Sequence, residues 1–228
     1  MRLVKPDFEI LKIDPSPLEL IELAGRTCYK TEDKMTCDSN RDFAKMLLAR
    51  EHESVIEHAT ATVKFISNRG FTHELVRHRL CSFSQESTRY CNYGVKGVTF
   101  IVPWWTEVFD QFAGQELPDY DVVENVVMLD DTFDNRRAAG RWFLAMRNAE
   151  SAYLDILEEI KDTNAARGVL PNDLKTEIVV TANFREWRHI FQLRTAEAAH
   201  PDMKRLMRPL LSRFRDEVPV LFDSIGTT

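Results

Sequence analysis

The sequence predicts an α+β chain folded as a single domain over residues 1–228. Three observations lead there. Strand-like segments are concentrated in the N-terminal half, helical patterns dominate the C-terminal half, and 228 residues can bury one sizeable core without dividing it.

The elements follow in order. From Met1 to Pro17, Phe8, Ile10 and Ile13 stand among polar residues and Asp14-Pro15-Ser16-Pro17 closes the segment, so a strand is expected. A helix comes next, with Leu18, Ile21, Glu22 and Ala24 at helical spacing, Ser16 as its cap and Gly25 marking its end. Asn40 to Arg50 repeats that pattern, with Phe43, Met46, Leu47 and Leu48 on one side. Ala59 to Ile66 alternates small or apolar with polar residues and is rich in Thr and Val, which favours a strand. Phe71, Leu75 and Val76 indicate a short helix leading into Arg77-His78-Arg79, and the Ser-rich run after it reads as ordered loop. Val98 to Val102 is expected to add a strand to the sheet, stopped by Pro103. Gln111 to Asp121 reads as a surface loop, and Arg141 to Ile160 as a helix. After the Leu170-Pro171-Asn172-Asp173 start signal, a long amphipathic helix is expected over Leu174 to Arg194. Met203 to Phe214 is the last helix, with Pro209 a potential kink.

Composition narrows the function. A net charge of −6 argues against a surface devoted to nucleic acid, which needs broad phosphate neutralisation. Positive charge is instead concentrated between Asn183 and Arg215, either a solvated helix face or a local anion site. Cys28, Cys37, Cys81 and Cys91 form no zinc-ligand spacing, no signal-peptide pattern is present, and no apolar run approaches the roughly 18 residues of a membrane span. A cytoplasmic protein with reduced thiols, bound to neither membrane nor nucleic acid, is expected. Neither G-x-G-x-x-G nor G-x-x-x-x-G-K-[ST] occurs, so a dinucleotide would have to be held by side chains.

Three segments could carry chemistry. Arg77 to Tyr90 holds three arginines, an imidazole, Gln85 and the hydroxyls of Ser82, Ser84, Ser87 and Thr88. Planar guanidinium forks suit phosphates, and hydroxyl and amide groups can read a base edge, although a polar loop bonded to itself would use the same residues. Thr181 to Arg194 places Asn183, Trp187, Ile190 and Arg194 on one helical stripe and pairs Arg185 with His189. Trp187 and Ile190 read as core, whereas Arg194 beside them needs a partner. In His52-Glu53-Ser54-Val55-Ile56-Glu57-His58 the histidines are six apart, not the four of a zinc helix, so a structural hydrogen-bonding group competes with a ligand set. No metal is expected.

Arg77-His78-Arg79, seven residues, then Ser87 matches the R-H-R-x7-S pattern and resembles the flavin-dependent thymidylate synthases. His52-Glu53-Ser54 with Glu57-His58 is similar to that family's H-E-[ST]-x-x-E-H element. Arg167-x-x-Leu170-Pro171, Asn183-x-Arg185 and Leu193-Arg194 are similar to its C-terminal set. The resemblance implies a small antiparallel sheet packed against long helices, and a homotetramer binding FAD and dUMP at shared sites. It implies that His52, Ser54, Glu57, Arg77, His78, Arg79, Gln85, Asn183, Arg185 and His189 surround FAD. It also implies that Glu74, Arg77, Gln85, Ser87, Thr88, Arg89, Arg167 and Arg194 hold dUMP. Glu74 stands where the family commonly has Gln, and would accept rather than donate hydrogen bonds; Phe83 and Ser84 are milder departures. The implied reaction is methylation of dUMP to dTMP, with 5,10-methylenetetrahydrofolate as carbon donor and NADPH as reductant. Arg194 and Ser87 are the catalytic candidates, Arg194 for charge developing on the pyrimidine. No general base is placed beside Ser87 by the sequence, which favours nucleotide positioning for it. A nucleic-acid module and an inactive relative of the same fold are the competing readings.

Overall fold

The computed structural model describes residues 1–95, 97–114 and 135–226. In chain order it contains β1 (Arg2–Val4), β2 (Asp7–Ile13), α1 (Pro17–Thr27), α2 (Ser39–Ala49), β3 (Thr60–Asn68), α3 (Arg69–Leu75), β4 (Cys81–Gln85) and β5 (Thr99–Ile101). Then come α4 (Arg136–Ile160), a short helix (Thr163–Ala166), β6 (Lys175–Asn183), α5 (Phe184–Arg194) and α6 (Pro201–Glu217). β2, β3, β6 and β4 form one sheet in that order. The amide of Asp14 donates to Thr60 O and that of Phe184 to Ala59 O, placing the ends of β2 and β6 at the start of β3, as antiparallel pairing requires.

The described residues group into two compact units, and the division falls within β3 and β6 and at the end of β4. The first unit holds Met1–Asp7, Ile66–Glu74 and Gln85–Ile178. Its core collects Leu3, Phe100, Val102, Phe109, Phe143, Met146, Tyr153 and Leu174. Asp173 ties this core together, accepting from Trp142 Nε1 at 2.6 Å and from Asn68 Nδ2 at 3.2 Å. The second unit holds Phe8–Phe65, Leu75–Ser84 and Val179–Thr228. Its core is aromatic: Trp187, Phe191, Phe214 and Phe222 pack in stacked, tilted and edge-to-face pairs at 5.1–5.8 Å, and Trp187 Nε1 donates to Ala61 O at 3.1 Å.

Several expectations change. Lys175–Asn183 is a strand, not the first half of a helix. Its buried residues are every second one, Thr176, Ile178, Val180 and Ala182, and its β-branched content suits a pleated surface better than a helix. Cys81–Gln85 is likewise a strand rather than loop, with Ser82 and Ser84 on its exposed face. Val98–Val102 does contain a strand, but β5 pairs in parallel with β1 through Leu3 and Phe100 in a separate two-stranded sheet. Ser16 makes no side-chain cap. Gly25 lies inside α1, where a Cβ would come 2.5 Å from Cε1 of Phe43, so its absence permits close approach to α2. Trp105 packs on the first unit's core, whereas Trp104 is 49% exposed. Most of the Gln111–Asp121 loop and the acidic stretch from Asp119 to Asp134 lie outside the described residues.

Candidate active site

Each unit gathers one set of candidate residues. In the first unit, Gln85 ends β4 half-buried, its Nε2 donating to Thr72 Oγ1 at 3.0 Å and to Thr176 Oγ1 at 3.2 Å. These two hydroxyls fix the amide and leave the carbonyl oxygen as its acceptor edge. The chain then turns: the Ser87 carbonyl accepts from the amides of Tyr90 and Cys91, and the Ser87 hydroxyl oxygen accepts from the Arg89 amide at 3.3 Å. The hydroxyl's partner is thus a backbone N–H, not a base. Arg167 Nη1 donates to the buried Thr88 Oγ1 at 3.4 Å. Arg89 Nε donates to Asn164 Oδ1 at 3.1 Å, and Thr163 Oγ1 donates to Arg89 O at 2.5 Å. The short helix after Asp162 therefore sets two guanidinium groups beside the Ser87–Arg89 turn, an arrangement suited to a phosphate. Glu74 is half-buried near the end of α3.

The second unit holds the rest. A cavity of about 650 Å³ is lined by His52, Ser54 and Arg185 together with Arg26, Lys34 and Arg50. Its floor is apolar, with Phe43, Met46 and Leu47, and Arg26 lies over the Phe43 ring at 4.9 Å. Arg185 bonds Glu57 at 2.6 Å and lies 3.6 Å from Glu53. Glu51 and Glu53 also line it and Arg26 is paired with Glu22 at 2.6 Å, so the cavity joins an apolar lining and a volume in the ordinary ligand range to a mixed set of charges, among them Lys34 and Arg50. Lys34, Arg50, His52 and Ser54 are donors that fit FAD in chemistry.

Arg77 and Arg79 are exposed on either side of His78, whose side chain is only 3% exposed. Arg194 Nε donates to His78 Nε2 at 3.0 Å, His78 Nδ1 lies 3.5 Å from Glu186 Oε1, and the His189 ring stands edge-on with centroids 5.6 Å apart. Burial, reinforced by the positive Arg194 and by His189, lowers the His78 pKa to about 4. Burial raises the Glu186 carboxyl, an effect opposed by His189. Burial and the Glu186 charge push the Cys81 thiol up to about 12, leaving it protonated and unreactive at neutral pH. Asn183 is the N-cap of α5 rather than a member of its stripe, accepting from the Glu186 amide at 2.9 Å. Trp187 and Ile190 are core, as expected.

His78, Glu186 and His189 offer metal-ligand atoms within 4.8 Å of one another. The group is poorly suited to a cation: a guanidinium donates to the one unprotonated His78 nitrogen, and the other nitrogen faces the carboxylate.

Two buried charged residues of α5, Glu186 and Arg188, carry no signal of burial in the sequence pattern. Glu186 sits three residues after Asn183, a capping-box spacing that the helix expected from Leu174 concealed. Arg188 is buried, lies 3.5 Å from Glu53 and donates through Nη1 to Leu221 O, while its Nε has no hydrogen-bond partner. Nothing in the sequence separated it from the exposed arginines nearby.

The same chain can be set beside known proteins. The family profile described as thymidylate synthase complementing protein (Thy1) matches residues 9–220. A flavin-dependent thymidylate synthase of Corynebacterium aurimucosum is 33% identical over 226 residues, covering 97% of this chain and 85% of that protein. One from Mycobacterium tuberculosis is 34% identical over 214 residues, covering 92% and 80%. Among solved structures, the UMP/dUMP methylase PolB of Streptomyces cacaoi with 5-Br dUMP aligns at TM-score 0.73 and 24% identity over 97% of this chain and 95% of that one. The Helicobacter pylori thymidylate synthase ThyX, solved with FAD and dUMP, aligns at TM-score 0.72 and 21% identity over 98% and 100%. The structural matches establish the fold, the profile and the sequence relatives establish the lineage, and together they place this chain in the flavin-dependent thymidylate synthase family.

Proposed function

We propose that this chain converts dUMP to dTMP by reductive methylation, binding FAD as cofactor and using 5,10-methylenetetrahydrofolate and NADPH as co-substrates. The observation that carries the reading is the joining of distant pieces of the family pattern. Arg194 meets His78 across 116 positions of sequence at 3.0 Å, and Arg167 meets Thr88 across 79 positions at 3.4 Å.

Roles follow from the chemistry of each group. Arg89 and Arg167 hold the dUMP phosphate with Ser87 and Thr88, and Gln85 presents its carbonyl oxygen to a base N–H. Arg77, Glu74 and Arg194 complete the nucleotide set, and Arg194 stabilises negative charge on the pyrimidine. His52, Ser54 and Arg185, which line the cavity, and Glu57, paired with Arg185, hold FAD with Arg77, Arg79, Asn183 and His189, while His78 supports them from a buried position. When bound, FAD supplies the redox chemistry that NADPH feeds. The protein orients the pyrimidine ring and excludes water.

The wider reading treats the chain as one functional domain, supported by a family match that runs through both units. By the same family resemblance it is a cytoplasmic homotetramer with sites shared between subunits and no catalytic metal. No helix among the described residues is long and apolar enough to cross a membrane. The test is release of tritium from 5-tritiated dUMP in the presence of FAD, NADPH and methylenetetrahydrofolate. Release matched by dTMP formation is expected, and its absence from flavin-loaded protein would contradict the reading.

A further inference from the structure

Glu186 is a buried acid that the proposed reaction does not use. Its side chain is 8% exposed, and burying a carboxylate is costly unless it serves a partner. It stands at the third residue of α5, where an acid commonly reaches back to the cap; here the carboxylate instead faces His78 Nδ1 at 3.5 Å. That distance is an electrostatic contact, longer than a direct hydrogen bond.

The geometry fixes the imidazole. An arginine Nε–H can only donate, so the His78 Nε2 that receives it at 3.0 Å carries the lone pair and the proton sits on Nδ1. Nδ1 is the atom that faces the carboxylate, and negative charge there favours this tautomer. His189, edge-on to the ring, limits its rotation. A ring held in this tautomer offers Arg194 an acceptor at one defined place, and engagement of Nε sets the guanidinium plane.

We propose that Glu186 is a positioning residue: by holding His78 in its Nδ1-protonated tautomer, it aligns the Arg194 guanidinium for the pyrimidine. The inference rests on the dUMP-methylating reading above. A misplaced catalytic group costs rate rather than substrate affinity, so Glu186→Gln should lower kcat about 10- to 100-fold and leave KM for dUMP within about twofold. In an Arg194→Lys background, which has no Nε to donate to His78, Glu186→Gln should cost less than about twofold further, because the two changes break one chain.

The experiment compares kcat and KM of the FAD-loaded wild type, both single variants and the double variant, with flavin content measured for each. Histidine-labelled 15N NMR of the wild type reads the His78 tautomer without depending on any variant. A strongly non-additive cycle with an Nδ1-protonated His78 supports the proposal. A Glu186→Gln rate within twofold of wild type, equal losses in both backgrounds, or a proton on Nε2 overturns it. If the wild type binds FAD but releases no tritium, the reading of function fails first and this inference falls with it.

Discussion

His78 makes folding stability depend on pH in a calculable way. Its folded pKa is about 4, against an ordinary value of 6.5, because burial, Arg194 and His189 disfavour the imidazolium. Below 6.5 the unfolded chain takes up a proton at this residue that the folded chain refuses, so stability falls with pH from about 6.5 to about 4. Linkage between those two values gives a loss of about 1 kcal/mol at pH 6 and about 2 kcal/mol at pH 5 from this group alone. Glu186, facing the same ring, acts in the opposite sense: its raised carboxyl takes up a proton more readily in the folded chain, which favours folding as pH falls. The assay is urea unfolding of wild type and His78→Gln at pH 7.5 and pH 5.0, at fixed protein concentration and without ligands. Subtraction cancels groups unaffected by the substitution. Wild type should lose about 2 kcal/mol more than the variant between the two pH values. Equal pH dependence in both would show that the imidazole is not held neutral by its surroundings.

Other predictions separate structure from binding. Asn183→Ala should destabilise the fold by about 1 kcal/mol through loss of the α5 cap, while Asn183→Ser stays within a few tenths, as read by denaturant midpoints. Trp187→Ala should cost about 3–5 kcal/mol, since the ring is fully buried among Phe191 and Phe214 and its N–H is bonded; a change below about 1 kcal/mol would refute that packing. Arg89→Ala and Arg167→Ala should each raise KM for dUMP about 10- to 100-fold without loss of flavin, the size of a charge-assisted hydrogen bond. Arg185→Ala should show the reverse, with weaker retention of FAD and little change in KM for dUMP.

Legibility in the sequence followed periodicity. β3 is legible because small or apolar residues alternate with polar ones over Ala59 to Ile66, and α4 is legible from Arg141 to Ile160 because apolar positions recur at helical spacing. Residues 174–194 misled for a physical reason: an alternating strand of apolar and β-branched residues runs directly into an amphipathic helix, and the capping asparagine at the junction also fits the helical stripe. Ser82 and Ser84 suggested a loop by composition, although alternation with Cys81, Phe83 and Gln85 satisfied the strand period. Gly25 has the composition of a helix end, yet it lies inside α1 because Phe43 leaves no room there for a Cβ. The residue types suited to a nucleotide were visible in Arg77–Tyr90, but their division between two units, and the buried Glu186 behind His78, depend on contacts distant in sequence, such as Arg167–Thr88 at 79 positions and Arg194–His78 at 116, for which periodicity gives no signal.

Visible absorption of the purified protein, before and after addition of FAD and then dUMP, tests the central claim most directly. Flavin bands that remain with the protein through desalting and shift on addition of dUMP are predicted, because the proposed reaction has the reduced flavin act on bound dUMP. Protein that takes up no flavin, or whose bound flavin is indifferent to saturating dUMP, would contradict the account.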